Sequence, residues 1–175
     1  MDFDYTPKVK ELQKRVRDFL EEHIVPAEQQ MLAQIAEGDR WSPPPLMDEL
    51  KQKARAAGLW NLWQPRTHGG TLTNLEYAPL AEIMGRSPFG SEPFNCSAPD
   101  TGNMEVLLRY GTEEQKKQWL EPLLDGRIRS AFAMTEPAVG CSDAPNNEAR
   151  SERPALPKHH NGRQWGSAAA PAPRG

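Results

Sequence analysis

A chain of 175 residues with 37% hydrophobic content can bury a real core, and it suits one domain or one domain and part of another. Its net charge of −3 comes from 21 basic and 24 acidic side chains, with no basic face of the kind that neutralises phosphates, so nucleic-acid binding is not indicated. No apolar run approaches a membrane span, Met1-Asp2-Phe3-Asp4 does not open a signal peptide, and Cys96 and Cys141, which lack close metal spacing, read as reduced thiols of a cytoplasmic protein.

In chain order, Thr6-Pro7 reads as an N-cap followed by a first-turn proline. Val9, Leu12, Val16, Phe19 and Leu20 then share one helical face. Pro26 interrupts, and Ala27, Met31 and Ile35 continue as a second helix ending near Gly38. After the stiff link Trp41-Ser42-Pro43-Pro44, Pro45 opens a third helix with Leu46, Leu50, Ala54 and Ala57 inward and Gly58 at its C-terminal end.

Leu59 to Pro65 is apolar without a helical pattern and leads into a turn at His68-Gly69-Gly70. Thr73 and Glu76 form a capping-box pattern for a fourth helix, whose inward stripe is Leu75, Leu80, Ile83 and Met84, with Pro79 inside it. Ser87 to Phe94 reads as loop. Asp100 is placed to cap a fifth helix carrying Met104, Leu107 and Leu108. Thr112 and Gln115 form a second capping box for a sixth, with Trp119, Leu120, Leu123 and Leu124 inward and Asp125-Gly126 as its stop. Helices this short are marginal alone, so the pattern predicts a mainly α, up-and-down bundle of about six helices.

Beyond the bundle, the strand-like run Ile128-Arg129-Ser130-Ala131-Phe132 leads into Ala133-Met134-Thr135-Glu136-Pro137-Ala138-Val139-Gly140-Cys141-Ser142-Asp143. A strand end followed by small hydroxyls and a glycine suits a polar ligand: the main chain is free to point outward, Gly140 permits close approach, and Thr135 and Ser142 can both donate and accept. This stretch resembles the flavin-binding signature of the acyl-CoA dehydrogenases, with a turn one residue longer than the commonest form. The longer turn, together with Phe94–Glu105 and Gly111–Leu120, is similar to the branch of that family fused to phosphotransferase-like domains. The resemblance covers residues 1–144.

It implies an N-terminal helical domain over residues 1–127 and the start of a β-domain over 128–144. The implied activity is FAD-dependent α,β-dehydrogenation of an acyl-CoA thioester, usually by a homo-oligomer; acyl chain length and electron acceptor stay open. By resemblance, Phe132, Met134, Thr135 and Ser142 contact the cofactor, and Cys141 and Ser142 lie toward the pyrophosphate or the acyl-CoA. Glu136 belongs to the binding turn, and no residue of the chain is assigned as the catalytic base, which in the family usually comes from a C-terminal domain.

Residues 145–175 differ in character. They hold five prolines, six alanines and no Val, Ile, Phe or Tyr, with a charge of five basic against two acidic, a composition for which disorder is the expectation. Asn161-Gly162 still resembles a family turn, yet the positions of the usual tryptophan and hydroxyl that follow are Gly166 and Ala168. The chain therefore reads as a truncated member with an incomplete β-domain, inactive alone. The alternative is a non-catalytic helical module that binds or oligomerises. His68 reads as a turn residue, His159-His160 as a poor metal pair, and Trp60 and Trp63 as core or subunit contact; Asn103 and Arg109 are left unassigned between ligand and partner contact.

Overall fold

The computed structural model describes residues 4–38 and 42–132. The tail 145–175 and the whole of the flavin-like signature, which starts at Ala133, lie outside the described residues. The chain divides into two compact units, Met1–Ser97 and Ala98–Gly175. All regular elements among the described residues are helical, as expected for a mainly α fold, apart from isolated bridges such as Pro65 to Leu72.

The first unit holds helices α1 (Pro7–Phe19), α2 (Glu28–Glu37), α3 (Pro45–Ala56) and α4 (Asn74–Met84). Thr6 caps α1, its hydroxyl accepting from the Val9 N–H at 3.3 Å, with Pro7 in the first turn. Pro26 does not simply break the chain between α1 and α2. The backbone stays helical through a wider π-type turn at Leu20–Ile24, in which the Val25 N–H reaches the Leu20 carbonyl, and a 3-10 turn at Val25–Ala27. Proline has no N–H and its ring clashes with the carbonyl four residues back; one extra residue in the preceding turn relieves both demands.

Val9, Val16, Phe19, Leu20 and Ile24 are buried, and α1 packs on α4. The Phe19 ring lies 5.1 Å from Phe94 and 4.8 Å from His23. Met31, Met47 and Leu50 form a second cluster with Ala27, Leu46 and Phe89 against it. Two expected core positions are corrected. Leu75 is 82% exposed because it falls in the first turn of α4, where the capping box sets the chain direction before the packed stripe of Pro79, Leu80, Ile83 and Met84 begins. Ala57 is exposed because α3 ends at Ala56. Gly58 follows at φ +65°, its N–H bonded to Arg55 and the Leu59 N–H to Ala54; this paired closure of the last carbonyls needs the left-handed backbone that glycine adopts without a side-chain penalty.

The inward row of α3 also includes Lys51, an unexpected charge. Its ammonium meets the Glu92 carboxylate at 2.8 Å, both side chains nearly buried, where α3 packs on the 3-10 turn Glu92–Phe94.

The second unit contains α5 (Asp100–Tyr110), α6 (Glu113–Gln115) and α7 (Glu121–Leu124), the last two joined by a π-type turn at Lys116–Leu120. The predicted Thr112–Gln115 box is formed. The widened turn again ends two residues before a proline, here Pro122. Gly126, at φ +65°, closes α7 as Gly58 closes α3, with the Arg127 N–H on Pro122 and its own on Leu123. Met104, Leu107, Leu120 and Leu123 are buried.

Lys51→Ala removes the ammonium from the nearly buried Glu92 carboxylate and should cost roughly 3 kcal/mol in urea unfolding, more than truncation of an exposed lysine such as Lys53. At the α4 cap, the Thr73 N–H donates to the Glu76 carboxylate at 2.8 Å and, with Thr73 Oγ1, Lys8 and Arg66, holds its pKa below the usual range. A lowered folded pKa gives stability that is present above the unfolded carboxylate pKa and lost as pH falls through the folded value. Glu76→Gln should therefore flatten the acid limb of the stability profile while leaving the neutral-to-alkaline limb parallel to wild type.

Candidate functional site

The run that leads toward the signature is held by the first turn of α5. Asp100 was expected to cap that helix. It stands instead as the first helical residue, the helix has no side-chain cap, and the carboxylate turns inward. The correction has a simple cause: backbone and side-chain donors 29 and 30 residues later compete for the same oxygens. Oδ1 accepts from the Ser130 N–H at 2.7 Å and from the Ser130 hydroxyl at 2.6 Å, and Oδ2 accepts from Arg129 Nε at 2.9 Å. Asp100 is 4% exposed, so a charge removed from water there is balanced by three short, charge-assisted bonds.

Asn103, one turn further along the same face, completes the set. Its Nδ2 donates to Ser130 Oγ at 2.8 Å and to the Ala131 carbonyl at 3.3 Å. Ser130 thus donates twice and accepts once. The pair sits on the buried stripe of α5, at the spacing 100, 103, 104, 107 that reads as one helical face. Two polar residues occupying the first two places of an otherwise apolar stripe were a usable sign of an internal anchor. Asn103 is therefore an internal residue, and Arg109 pairs with Glu105 one turn away on its own helix.

Of the residues assigned to ligand contact, only Phe132 is described; Met134, Thr135, Cys141 and Ser142 lie outside the described residues. No strand is formed at Ile128–Phe132 among the described residues. Phe132, two residues beyond the doubly held Ser130, is 55% exposed.

The other candidate groups are structural. Cys96 is buried and its thiol donates to the Phe94 carbonyl at 3.3 Å. Burial pushes its pKa up to about 11, against smaller lowering by hydrogen bonds from Trp63, Tyr77 and Leu62. Burial, then the neighbouring Cys96, raises the Tyr77 phenol well above its usual range. Both groups stay protonated near neutral pH and offer no nucleophile. Trp63 is core, while Trp60 is half-buried with the Arg55 guanidinium 4.2 Å above its ring. His68 shares a 2.9 Å hydrogen bond with the Thr67 hydroxyl. A cleft of about 210 Å³ is lined by Gln13, Arg17, Pro79, Glu82, Ile83 and Arg86, a mixture of charges that selects no ligand class. Among the described residues no group of three or more His, Cys, Asp or Glu could hold a metal, and no helix is long and apolar enough to cross a membrane.

Residues 6–127 match the family described as acyl-CoA dehydrogenase, N-terminal domain, and the chain belongs to the acyl-CoA dehydrogenase family. It is 51% identical to mouse acyl-CoA dehydrogenase family member 10 over 97% of its own length and 16% of that protein. It is 46% identical to the chicken family member 11, covering 98% of this chain and 22% of the relative. To the Mycobacterium tuberculosis protein named "Probable acyl-CoA dehydrogenase FadE2" it is 49% identical, covering 99% and 43%. A solved Mycobacterium abscessus structure, "Structure of a putative acyl-CoA dehydrogenase", superposes with a TM-score of 0.76 at 53% identity over 82% of this chain and 38% of that one. The chain thus spans between 16% and 43% of the length of these curated relatives. Likeness to family members 10 and 11 agrees with the branch resemblance read from the longer turn.

The buried Cys96 generates a direct check. In the native chain its alkylation by iodoacetamide at pH 8, followed by mass spectrometry, should be at least tenfold slower than in the urea-unfolded chain. Equal rates would contradict a buried, protonated thiol.

Proposed function

We propose that this chain contributes to FAD-dependent α,β-dehydrogenation of an acyl-CoA thioester, supplying a helical domain over residues 1–127 and, over 128–144, the segment that meets the flavin. The observation that carries the reading is the family match through residue 127 followed directly by the anchored run and the signature. In this reading Phe132 and Met134 lie against the ring system, and Thr135 offers its hydroxyl to the ring edge. Ser142 hydrogen-bonds the cofactor's phosphates or the acyl-CoA, and Cys141 lies beside it. A bound flavin would supply the acceptor for the hydride leaving the β-carbon. The α-proton needs a carboxylate within reach; Asp100 is engaged by Ser130 and Arg129, and Glu92 by Lys51. Residues 1–175 alone are accordingly assigned no base and no turnover, and the tail 145–175 no role in the site. The cytoplasm is the proposed setting.

A second reading, a helical module that self-associates, is favoured by the apolar side chains left in solvent. Leu75 is 82% exposed, and in the second unit Val106 and Tyr110, one turn apart on α5, are 39% and 78% exposed.

The test is a titration of the purified chain with FAD, followed by flavin fluorescence and visible absorption, beside a dehydrogenase assay with an artificial acceptor and light scattering. One-to-one binding with a band shift, no turnover and a self-associated species is the expected result. Absence of binding at high FAD would contradict the flavin assignment, turnover above blank the assignment of no base, and a monomer at high concentration the module.

A further inference from the structure

We propose that the exposed face of α5 made by Gly102, Val106 and Tyr110 docks a second copy of this chain, the two α5 helices lying antiparallel about a two-fold axis near Val106. The inference names the surface of the self-associating module above and rests on that second reading. The three residues recur every fourth position and so share one face, apart from the buried row of Asp100, Asn103, Met104 and Leu107. Val106 and Tyr110 stand in solvent. Gly102 has no internal reason to be glycine: it lies in ordinary helix, and an added Cβ would meet nothing within 4 Å. Alanine would suit the helix better. What glycine leaves is a shallow place in the helix surface, the kind of groove into which a ridge of another helix packs. The face supplies its own ridge. About the two-fold axis Val106 meets its counterpart, and Tyr110 falls over the Gly102 of the copy. The charges at the edge agree. Glu105 and Arg109 pair within the helix, and the antiparallel arrangement brings each Arg109 beside the Glu105 of the copy as well, so the face is complementary to itself in charge. From Gly102 to Tyr110 is about 12 Å of helix. That is much less than a standard interface of about 1,200 Å² requires, so the dimer is weak, with a dissociation constant on the order of 100 µM.

The experiment is sedimentation velocity of the purified chain over a concentration series reaching about 1 mM, with thermal unfolding at low concentration as the control for folding. Gly102→Ala should unfold at or above the wild-type temperature yet self-associate about tenfold more weakly, a pairing of effects that a purely structural glycine would not give. Tyr110→Ser should weaken association by a similar factor. Arg109→Glu gathers four acids at the two-fold axis and should weaken it about tenfold or more, while the double exchange of Glu105→Arg with Arg109→Glu restores it to within about threefold of wild type. Leu75→Ser, on α4 in the first unit, should leave association unchanged. Undiminished association in Gly102→Ala, Tyr110→Ser and Arg109→Glu, or loss in Leu75→Ser alone, overturns this face and leaves the module reading standing. A wild-type chain that stays monomeric to the top of the series overturns the module reading and this inference together.

Discussion

A carboxylate taken out of water must find donors, and in the unit that begins at Ala98 the donors come from a single place. Asp100 receives the amide and hydroxyl of Ser130 and the guanidinium of Arg129, while Asn103 spends its amide hydrogens on the same segment. Because an unpaired charge at this depth would be far costlier than an exposed one, the position of residues 129–131 is bound to the existence of α5. The run Arg129–Ala131 is thus held at a fixed point on α5.

The helices depend on quieter solutions to the same kind of demand. Prolines at 26 and 122 would break ordinary helices, and at both the preceding turn widens by one residue. Glycines at 58 and 126 take the left-handed backbone that lets the last carbonyls be satisfied. Capping boxes at Thr73 and Thr112 satisfy the first amides. None of these devices supplies much energy singly, but each leaves the apolar stripe free to pack without orphaned backbone groups. Lys51 shows the limit of the apolar rule: its place on the inward row of α3 is tenable because Glu92 arrives on the adjoining turn.

Much of the helical layout was legible because caps, breakers and periodicity agreed. Thr6-Pro7, both capping boxes, Pro45, Gly58 and Asp125-Gly126 marked element ends that the structure keeps. Leu75 and Ala57 were misplaced because a stripe drawn by residue type does not say where a helix starts or stops packing. Asp100 was misread because a local cap and a distant partner compete for one carboxylate, and sequence spacing reveals only the local one. The anchor's distant half, Ser130, carries no periodic signal of its own. Of the candidate site, the motif was legible as residue types in order, whereas its support by α5 is a fact of three-dimensional pairing.

The helical domain that matches the family over residues 6–127 is followed by the run 128–132 and then by the signature that starts at Ala133. We propose that FAD meets the segment beyond Ser130. Hydrogen–deuterium exchange of the chain with and without FAD tests this most directly. Slowed exchange confined largely to residues 128–143, with the helices α1 to α4 unchanged, is the expected result. Exchange in 128–143 that is indifferent to saturating FAD, or protection confined to the first unit, would contradict it.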